Sequence, residues 1–181
     1  MSESIPDFHQ FPGIFDRDAV LDEPKFLLTD VAVVTGISTN VLKSWLSREP
    51  IAVQLGPYDR QAMGKGSSRV FTLRRVLSIA LAAELIRLGI APSRSGFMAQ
   101  WYTDRRIKKE DSWEQRENQL LVAHSSSDPS LLFSFITDKS GIIDLFEHPE
   151  TGQTLKSCVV VNFKQIKADV IEGLKSRGKL P

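Results

Sequence analysis

The sequence predicts an α+β protein in two parts: a mainly helical N-terminal part, then a small antiparallel sheet with a C-terminal helix. In the first part, apolar residues recur with helical spacing and glycines stand where turns are expected. From about residue 119 the pattern changes to short runs rich in β-branched and aromatic residues, separated by turn-forming residues. This change of period indicates two folding units.

Two short helices joined by a tight turn are predicted within residues 26–45. Thr29 is the predicted N-cap of the first helix, and Asp30 in its first turn favours the helix dipole. Gly36 reaches the positive φ that the turn needs, and Ser38 is the predicted N-cap of the second helix. Ala32, a small residue, lets the two helices cross closely, as in a helix-turn-helix.

The outward face of the second predicted helix is polar and carries no acidic side chain. Its predicted DNA-contacting members are Thr39, Asn40, Lys43, Ser44 and Arg48. Its predicted inward members are Val41, Leu42 and Trp45. Amide, hydroxyl and ammonium groups can hydrogen-bond to base edges, and the absence of carboxylates avoids repulsion by phosphates. The sequence therefore predicts that this helix enters the major groove of duplex DNA.

A wing is predicted after the second helix. Its two strands are Ile51–Leu55 and Arg69–Phe71, joined by a loop from Gly56 to Ser68. The loop lacks the glycine spacing of a nucleotide-binding P-loop. We interpret its glycine-rich tip as a flexible basic segment in which Lys65 reaches a DNA phosphate; a solvated hairpin tip is the alternative.

Two further helices are predicted behind the wing. Thr72 is the expected N-cap of a helix over Leu73–Leu88, and Gly89 is its C-terminal stop. Arg74, at the start of this helix, is predicted to contact a DNA phosphate. A fourth helix is predicted near Pro92–Trp101.

The run from residue 26 to residue 102 resembles the DNA-binding domain of the MerR (mercury-resistance regulator) family of winged helix-turn-helix proteins. The matching segments are the TGIS turn at Thr35–Ser38, Leu42-Lys43, Arg69-Val70-Phe71 and LIRLGI at Leu85–Ile90. In that family the wing arginine grips a phosphate, which implies this role for Arg69. The resemblance implies a winged helix-turn-helix domain over residues 26–104 with double-stranded DNA as its ligand.

Positive charge is concentrated in the same segment. Residues 26–109 hold 13 basic and 5 acidic side chains, a net charge of +8, whereas the whole chain carries +1. Residues 1–25 carry −4 and residues 110–181 carry −3. This segregation is typical of a surface that binds the phosphate backbone; ordinary solvation of helix surfaces is the alternative.

Residues 1–25 are predicted to form an extended N-terminal arm, because they contain three prolines and no sustained periodicity. Residues 105–117 are crowded with charge and are predicted to form a linker or an exposed helix. Residues 118–181 are predicted to form a small α+β domain. It could dimerise the protein, bind a ligand, or hold a partner protein.

Four strands and one helix are predicted in this second domain. The strands are Gln119–His124, Leu131–Thr137, Ile142–Glu147 and Ser157–Phe163. The helix runs from about Lys164 to Arg177, with Asn162 as N-cap and Gln165 reaching back as in a capping box. Its apolar stripe consists of Ile166, Val170, Ile171 and Leu174. A four-strand meander with the helix across it is the simplest architecture.

Residue sets typical of catalysis or metal binding are not found in the sequence. His9, His124 and His148 lie far apart and share no ligand spacing with each other or with Cys158, the single cysteine. We therefore expect no enzyme activity, no cofactor and no metal. The composition, the lone cysteine and the lack of an apolar run of about 20 residues predict a cytoplasmic protein without a membrane partner. The predicted binding to DNA adds association with the nucleoid.

Two functions remain open from the sequence. The first is a bacterial or phage transcription regulator that binds a specific duplex site as a homodimer. The second is a phage-type DNA-packaging subunit, similar to a small terminase, or an excision factor, in which the C-terminal domain serves assembly. An enzyme tethered to DNA is disfavoured because residues 110–181 contain no acid–base or nucleophile set. A dimer would favour regulation, and a ring of many copies would favour packaging.

Overall fold

The computed structural model describes residues 20–47, 53–62, 68–104, 119–124, 133–137 and 158–181, and over these the fold is α+β. The helices are α1 Leu28–Thr35, α2 Thr39–Trp45, α3 Leu73–Arg87, α4 Pro92–Asp104 and α5 Phe163–Ser176. The strands are β1 Phe26–Leu27, β2 Val70–Phe71, β3 Gln119–His124, β4 Phe133–Thr137 and β5 Cys158–Asn162.

The chain divides into two compact units, and one of the two boundaries between them falls inside α5. The first unit comprises Met1–Arg106 together with Val170–Pro181, and the second comprises Ile107–Asp169. The predicted domain over 118–181 differs from this division, because the second half of α5 belongs to the first unit. There Gly173 packs against Val34 of α1.

Nearby side chains and a glycine determine where α1 and α2 begin and end, and one N-cap differs from the prediction. Thr29 is not the N-cap of α1: the helix begins at Leu28, and Leu27 is the N-cap. Asp30 satisfies this end, since its Oδ2 accepts the N–H of Leu27 at 2.9 Å. Gly36 ends α1 at φ +69°. Ser38 caps α2 as predicted, because its Oγ accepts a first-turn backbone N–H at 3.3 Å.

α3 is the central helix of the first unit. Every residue from 73 to 83 is buried, so the helix is covered on all sides. Thr72 caps it as predicted, with its Oγ1 accepting the N–H of Arg75 at 3.2 Å. The helix ends one residue before its predicted end, ahead of Gly89 at φ +93°. α4 packs on it and extends to Asp104, three residues beyond its predicted end.

The segment predicted to form a wing does not pair as the predicted hairpin. β2 pairs antiparallel with β1, and Val70 also bridges to Arg60, rather than to residues 53–55 of the predicted first strand. The backbone of Gln54 is engaged by the Gln100 side chain, with N–H to Oε1 at 3.1 Å and Nε2 to the Gln54 carbonyl at 2.8 Å. Because both backbone groups are used, Gln54 has none left for a strand ladder. Residues 51 and 52 lie outside the described part of the chain.

The described residues of the N-terminal arm are anchored to the first unit. The carbonyl of Leu21 accepts the backbone N–H of Arg74 at 3.0 Å, and the N–H of Lys25 donates to the Phe71 carbonyl at 3.0 Å. Residues 20–25 of the predicted arm are therefore held on the first unit through their backbone. Residues 1–19 and the predicted linker at 105–117 lie outside the described residues.

In the second unit, β3 is the middle strand of an antiparallel sheet with the order β4-β3-β5. Leu121 faces Phe135 on one side and Val161 on the other. Leu121 and Val122 point to opposite faces and are both fully buried, so both faces of β3 are covered. A meander would place β5 beside the strand before it, so the pairing of β5 with β3 overturns that order. The predicted strand Ile142–Glu147 lies outside the described residues.

α5 begins as the sequence indicates. The Oδ1 of Asn162 accepts the N–H of Gln165 at 3.3 Å, which confirms the predicted N-cap. The Gln165 side chain does not complete a capping box, because its Nε2 donates instead to Asp169 Oδ1 at 2.7 Å.

Candidate nucleic-acid interface

The surface of α2 combines a buried anchor with an exposed polar face. Leu42 is fully buried and holds the helix to the first unit. On the other side, Asn40 and Lys43 are exposed, and Thr39 and Ser44 are half-buried. Asn40 and Lys43 are three residues apart and therefore share one face of the helix. Four of the predicted DNA-contacting residues thus lie on one short helix with no carboxylate among them.

Val41 is a residue of this surface that sequence reasoning placed wrongly. Its predicted position was inward, yet 42% of it is exposed, between the two exposed polar residues of α2. The helical spacing alone could not show this, because the inward direction of so short a helix is set by Leu42 and Leu46. An exposed valine beside Asn40 can make an apolar contact with a thymine methyl group.

The C-terminal end of α2 is fixed by the segment that follows it. The Trp45 carbonyl accepts the N–H of Val53 at 3.2 Å, and Gln54, the next residue, is held on Gln100 of α4. The Ser47 hydroxyl also donates to the Lys43 carbonyl at 2.6 Å. These bonds satisfy carbonyls that a helix end leaves without partners, and they orient the exposed face.

Two arginines lie at the base of the predicted wing, beside β2. Arg69 is half-buried and directly precedes β2. Arg60 is exposed, and its backbone is joined to Val70 by two hydrogen bonds of 2.8 and 3.0 Å. Arg60 was not among the predicted site residues, because nothing in the sequence indicated that it would bridge to Val70. The predicted contacts Lys65 and Arg48 lie outside the described residues.

Arg74 corrects the predicted phosphate contacts. Its guanidinium is buried and forms a two-point ion pair with Asp22, with Nε to Oδ1 at 2.6 Å and Nη2 to Oδ2 at 2.8 Å. Its Nη1 donates to the carbonyl of Thr103 at 2.8 Å. A guanidinium enclosed and bonded in this way cannot reach a DNA phosphate. Arg74 instead ties the N-terminal segment to the end of α4.

Arg75 forms a second buried ion network with Asp59 and Asp104. It donates to Asp59 at 3.0 Å and to Asp104 at 2.8 Å. Burial alone would lower the pKa of Arg75, but the charges of Asp104 and Asp59 outweigh it and raise that pKa, so Arg75 stays protonated. Asp59 also accepts the backbone N–H groups of Thr72 at 2.8 Å and Gly56 at 2.7 Å. One carboxylate thus joins Gly56 to Thr72 and Arg75 at the start of α3.

Because of these two networks, not every basic residue of the positive segment contributes charge to the surface. Arg74 and Arg75 count among the basic residues of the positive segment but are neutralised inside the first unit. Of the predicted DNA-contacting cations, Lys43 and Arg69 remain outside these networks, and exposed Arg60 lies beside Val70.

The register of the second unit places His124 opposite Cys158 on neighbouring strands, which their sequence spacing could not show. One such pair does not make a tetrahedral metal site. Within the described ranges, no group of three or more histidine, cysteine or acidic residues could hold a metal ion. No helix in the described part of the chain has the length and apolar character to cross a membrane.

Comparison with models of known protein families and with curated proteins gave no match. Function is therefore inferred from the residues of α2, the wing and the networks that support them.

Proposed function

We propose that the first unit binds duplex DNA at specific sequences, with α2 as the recognition helix of a winged helix-turn-helix domain. One observation carries this proposal: α2 exposes Asn40 and Lys43 on one face, while Leu42 anchors the opposite face. A helix that is held to its domain on one face, and that exposes polar side chains without carboxylates on the other, suits the major groove.

The exposed groups match the chemistry of base edges. The Asn40 amide can pair with both N6 and N7 of adenine, and the Lys43 ammonium can donate to N7 and O6 of guanine. Val41 adds an apolar contact for a thymine methyl group. Each good contact of this kind discriminates against a wrong base by about 1–3 kcal/mol.

The wing supplies contacts that do not depend on sequence. We assign Arg69 and Arg60 to phosphates, because both stand at the base of the wing that Asp59 fixes to α3. Backbone contacts of this type set the position of a protein on the duplex and make its affinity depend on salt.

We further propose that the protein regulates transcription as a homodimer. α2 has 7 residues and can read only a few base pairs, so a symmetric pair is needed to select a longer site. Residues 107–169 hold 7 basic and 10 acidic side chains, which disfavours contact with DNA and leaves this unit for self-association.

The test begins with selection of a preferred duplex from a random pool by the full chain. Asn40→Ala and Lys43→Ala should then each weaken binding to the selected duplex by about 1–3 kcal/mol and change binding to a scrambled duplex much less. Gln165→Ala, an exposed polar change on α5, is the matched control and should alter neither. Equal losses on both duplexes would show that α2 touches only the backbone.

A further inference from the structure

The C-terminal end of the chain forms a basic corner beside the start of α1. Its members are Lys175, Arg177 and Lys179. Residues 170–181 belong to the first unit, and Glu172 is their only acidic side chain, so the segment carries +2. From the sequence alone this charge was averaged into an acidic C-terminal part.

A tight turn fixes the direction of the basic corner. α5 ends before Gly178, which has φ +65°. The N–H of Gly178 donates to the Lys175 carbonyl at 2.8 Å, and the N–H of Lys179 donates to the Leu174 carbonyl at 2.9 Å. This pair of bonds is a Schellman motif, which reverses the chain at the helix end. Leu174 is fully buried, so the turn is anchored in the first unit.

The same segment lies closely against α1. A Cβ atom on Gly173 would stand 3.1 Å from Val34 Cγ1, closer than most side chains tolerate. Glycine at this position therefore allows α5 to approach α1 closely, and the basic corner is brought to the N-terminal end of that helix.

Two cations of the corner meet a single carboxylate there. Lys179 Nζ lies 3.4 Å from Asp30 Oδ2, and Arg177 Nε lies 4.0 Å from Asp30 Oδ1. Asp30 is buried, whereas the side chains of Arg177 and Lys179 are 40% and 36% exposed. One positive charge is left over at this point, and Lys175 adds a second exposed cation. The corner therefore offers ammonium and guanidinium donors to an external anion.

We propose that the basic corner binds phosphates of the duplex that α2 reads, an inference that rests on the proposed function. When a second helix occupies the major groove, the first helix of the pair crosses the DNA backbone. Cations held at the start of α1 then lie at the level of the phosphates. The corner thus extends the DNA-binding surface to the last residues of the chain, which the sequence pattern assigned to a separate domain.

The experiment measures affinity of the full chain for a selected and a scrambled duplex between roughly 50 and 200 mM salt. Lys175→Gln and Lys179→Gln should each weaken both duplexes equally and lower the slope of log affinity against log salt by about 0.9. When salt rises from about 50 to 200 mM, the affinity of each variant should therefore fall by a factor that is about 3.5-fold smaller than for the unchanged protein. Lys164→Gln, in the first turn of α5 and in the second unit, is the control and should leave both slopes unchanged.

Lys175→Gln keeps the inference testable if Lys179→Gln disturbs folding, because Lys175 forms no ion pair with the residues that the structure describes. An unchanged affinity and slope for Lys175→Gln, with a native chain that binds DNA, would overturn this inference alone. A native chain that binds no duplex of any sequence would overturn the proposed function itself.

Discussion

Replacing Asp59 by asparagine should destabilise the first unit by about 3 kcal/mol, at the lower end of the cost of breaking a buried ion pair. The carboxylate accepts from Gly56, from Arg75 and twice from Thr72, at distances of 2.7 to 3.0 Å. An amide of the same shape keeps one acceptor oxygen, and its NH₂ group faces donors. Arg75 retains Asp104, at 2.8 Å, which limits the loss.

The free energy of unfolding in urea, with the slope against urea fitted for each variant, measures this loss. Arg87→Gln removes a surface ion pair with Glu84 three residues away and is the matched control, with an expected change of about 0.5 kcal/mol or less. If Asp59→Asn costs no more than this control, the buried network does not support the wing. The folded fraction of Asp59→Asn should also show a reduced salt dependence of DNA binding, because the wing loses its fixed base.

Substitutions at three further positions test a DNA contact, a buried ion pair and a helix end. Arg69→Ala should lower the slope of log affinity against log salt by about one while leaving the unfolding midpoint unchanged; an unaltered slope would remove the wing from the interface. Arg74→Ala should leave buried Asp22 without its cation and cost about 3–5 kcal/mol in urea unfolding. Gly36→Ala should cost roughly 1–2 kcal/mol through backbone strain at φ +69°, since a Cβ there meets no atom within 4 Å; Gly36→Asn should recover part of this loss.

The sequence predicted those features that depend on neighbouring residues. Ser38, Thr72 and Asn162 cap their helices because a hydroxyl or amide oxygen can reach a backbone N–H three residues ahead. Gly36 directly follows α1 and Gly89 follows the C-cap Leu88 of α3, and both adopt the positive φ that is common where a chain leaves a helix. In each case, the interaction that decides the conformation lies within one turn of the chain, so it can be inferred from local sequence.

Features set by distant residues could not be inferred in this way. The place of Arg74 at the start of α3 predicts a phosphate contact, but its partner Asp22 lies 52 residues away in sequence. Gln54 was assigned to a strand, yet the amide that engages its backbone is 46 residues away. Neither partner carries a local signal, because a single aspartate or glutamine in the sequence does not indicate which backbone or guanidinium it will meet.

The sequence also could not predict which unit each half of α5 belongs to. A helical apolar stripe identifies a buried face but does not say which surface covers it. The second half of α5 returns to the first unit, so residues 107–169 are bracketed in sequence by two segments of that unit. A fragment that ends after α4 would consequently lack Gly173, which packs against α1, and the two cations that pair with Asp30. Removing the second unit while keeping the first intact therefore requires an internal deletion that rejoins residue 106 to residue 170 through a linker.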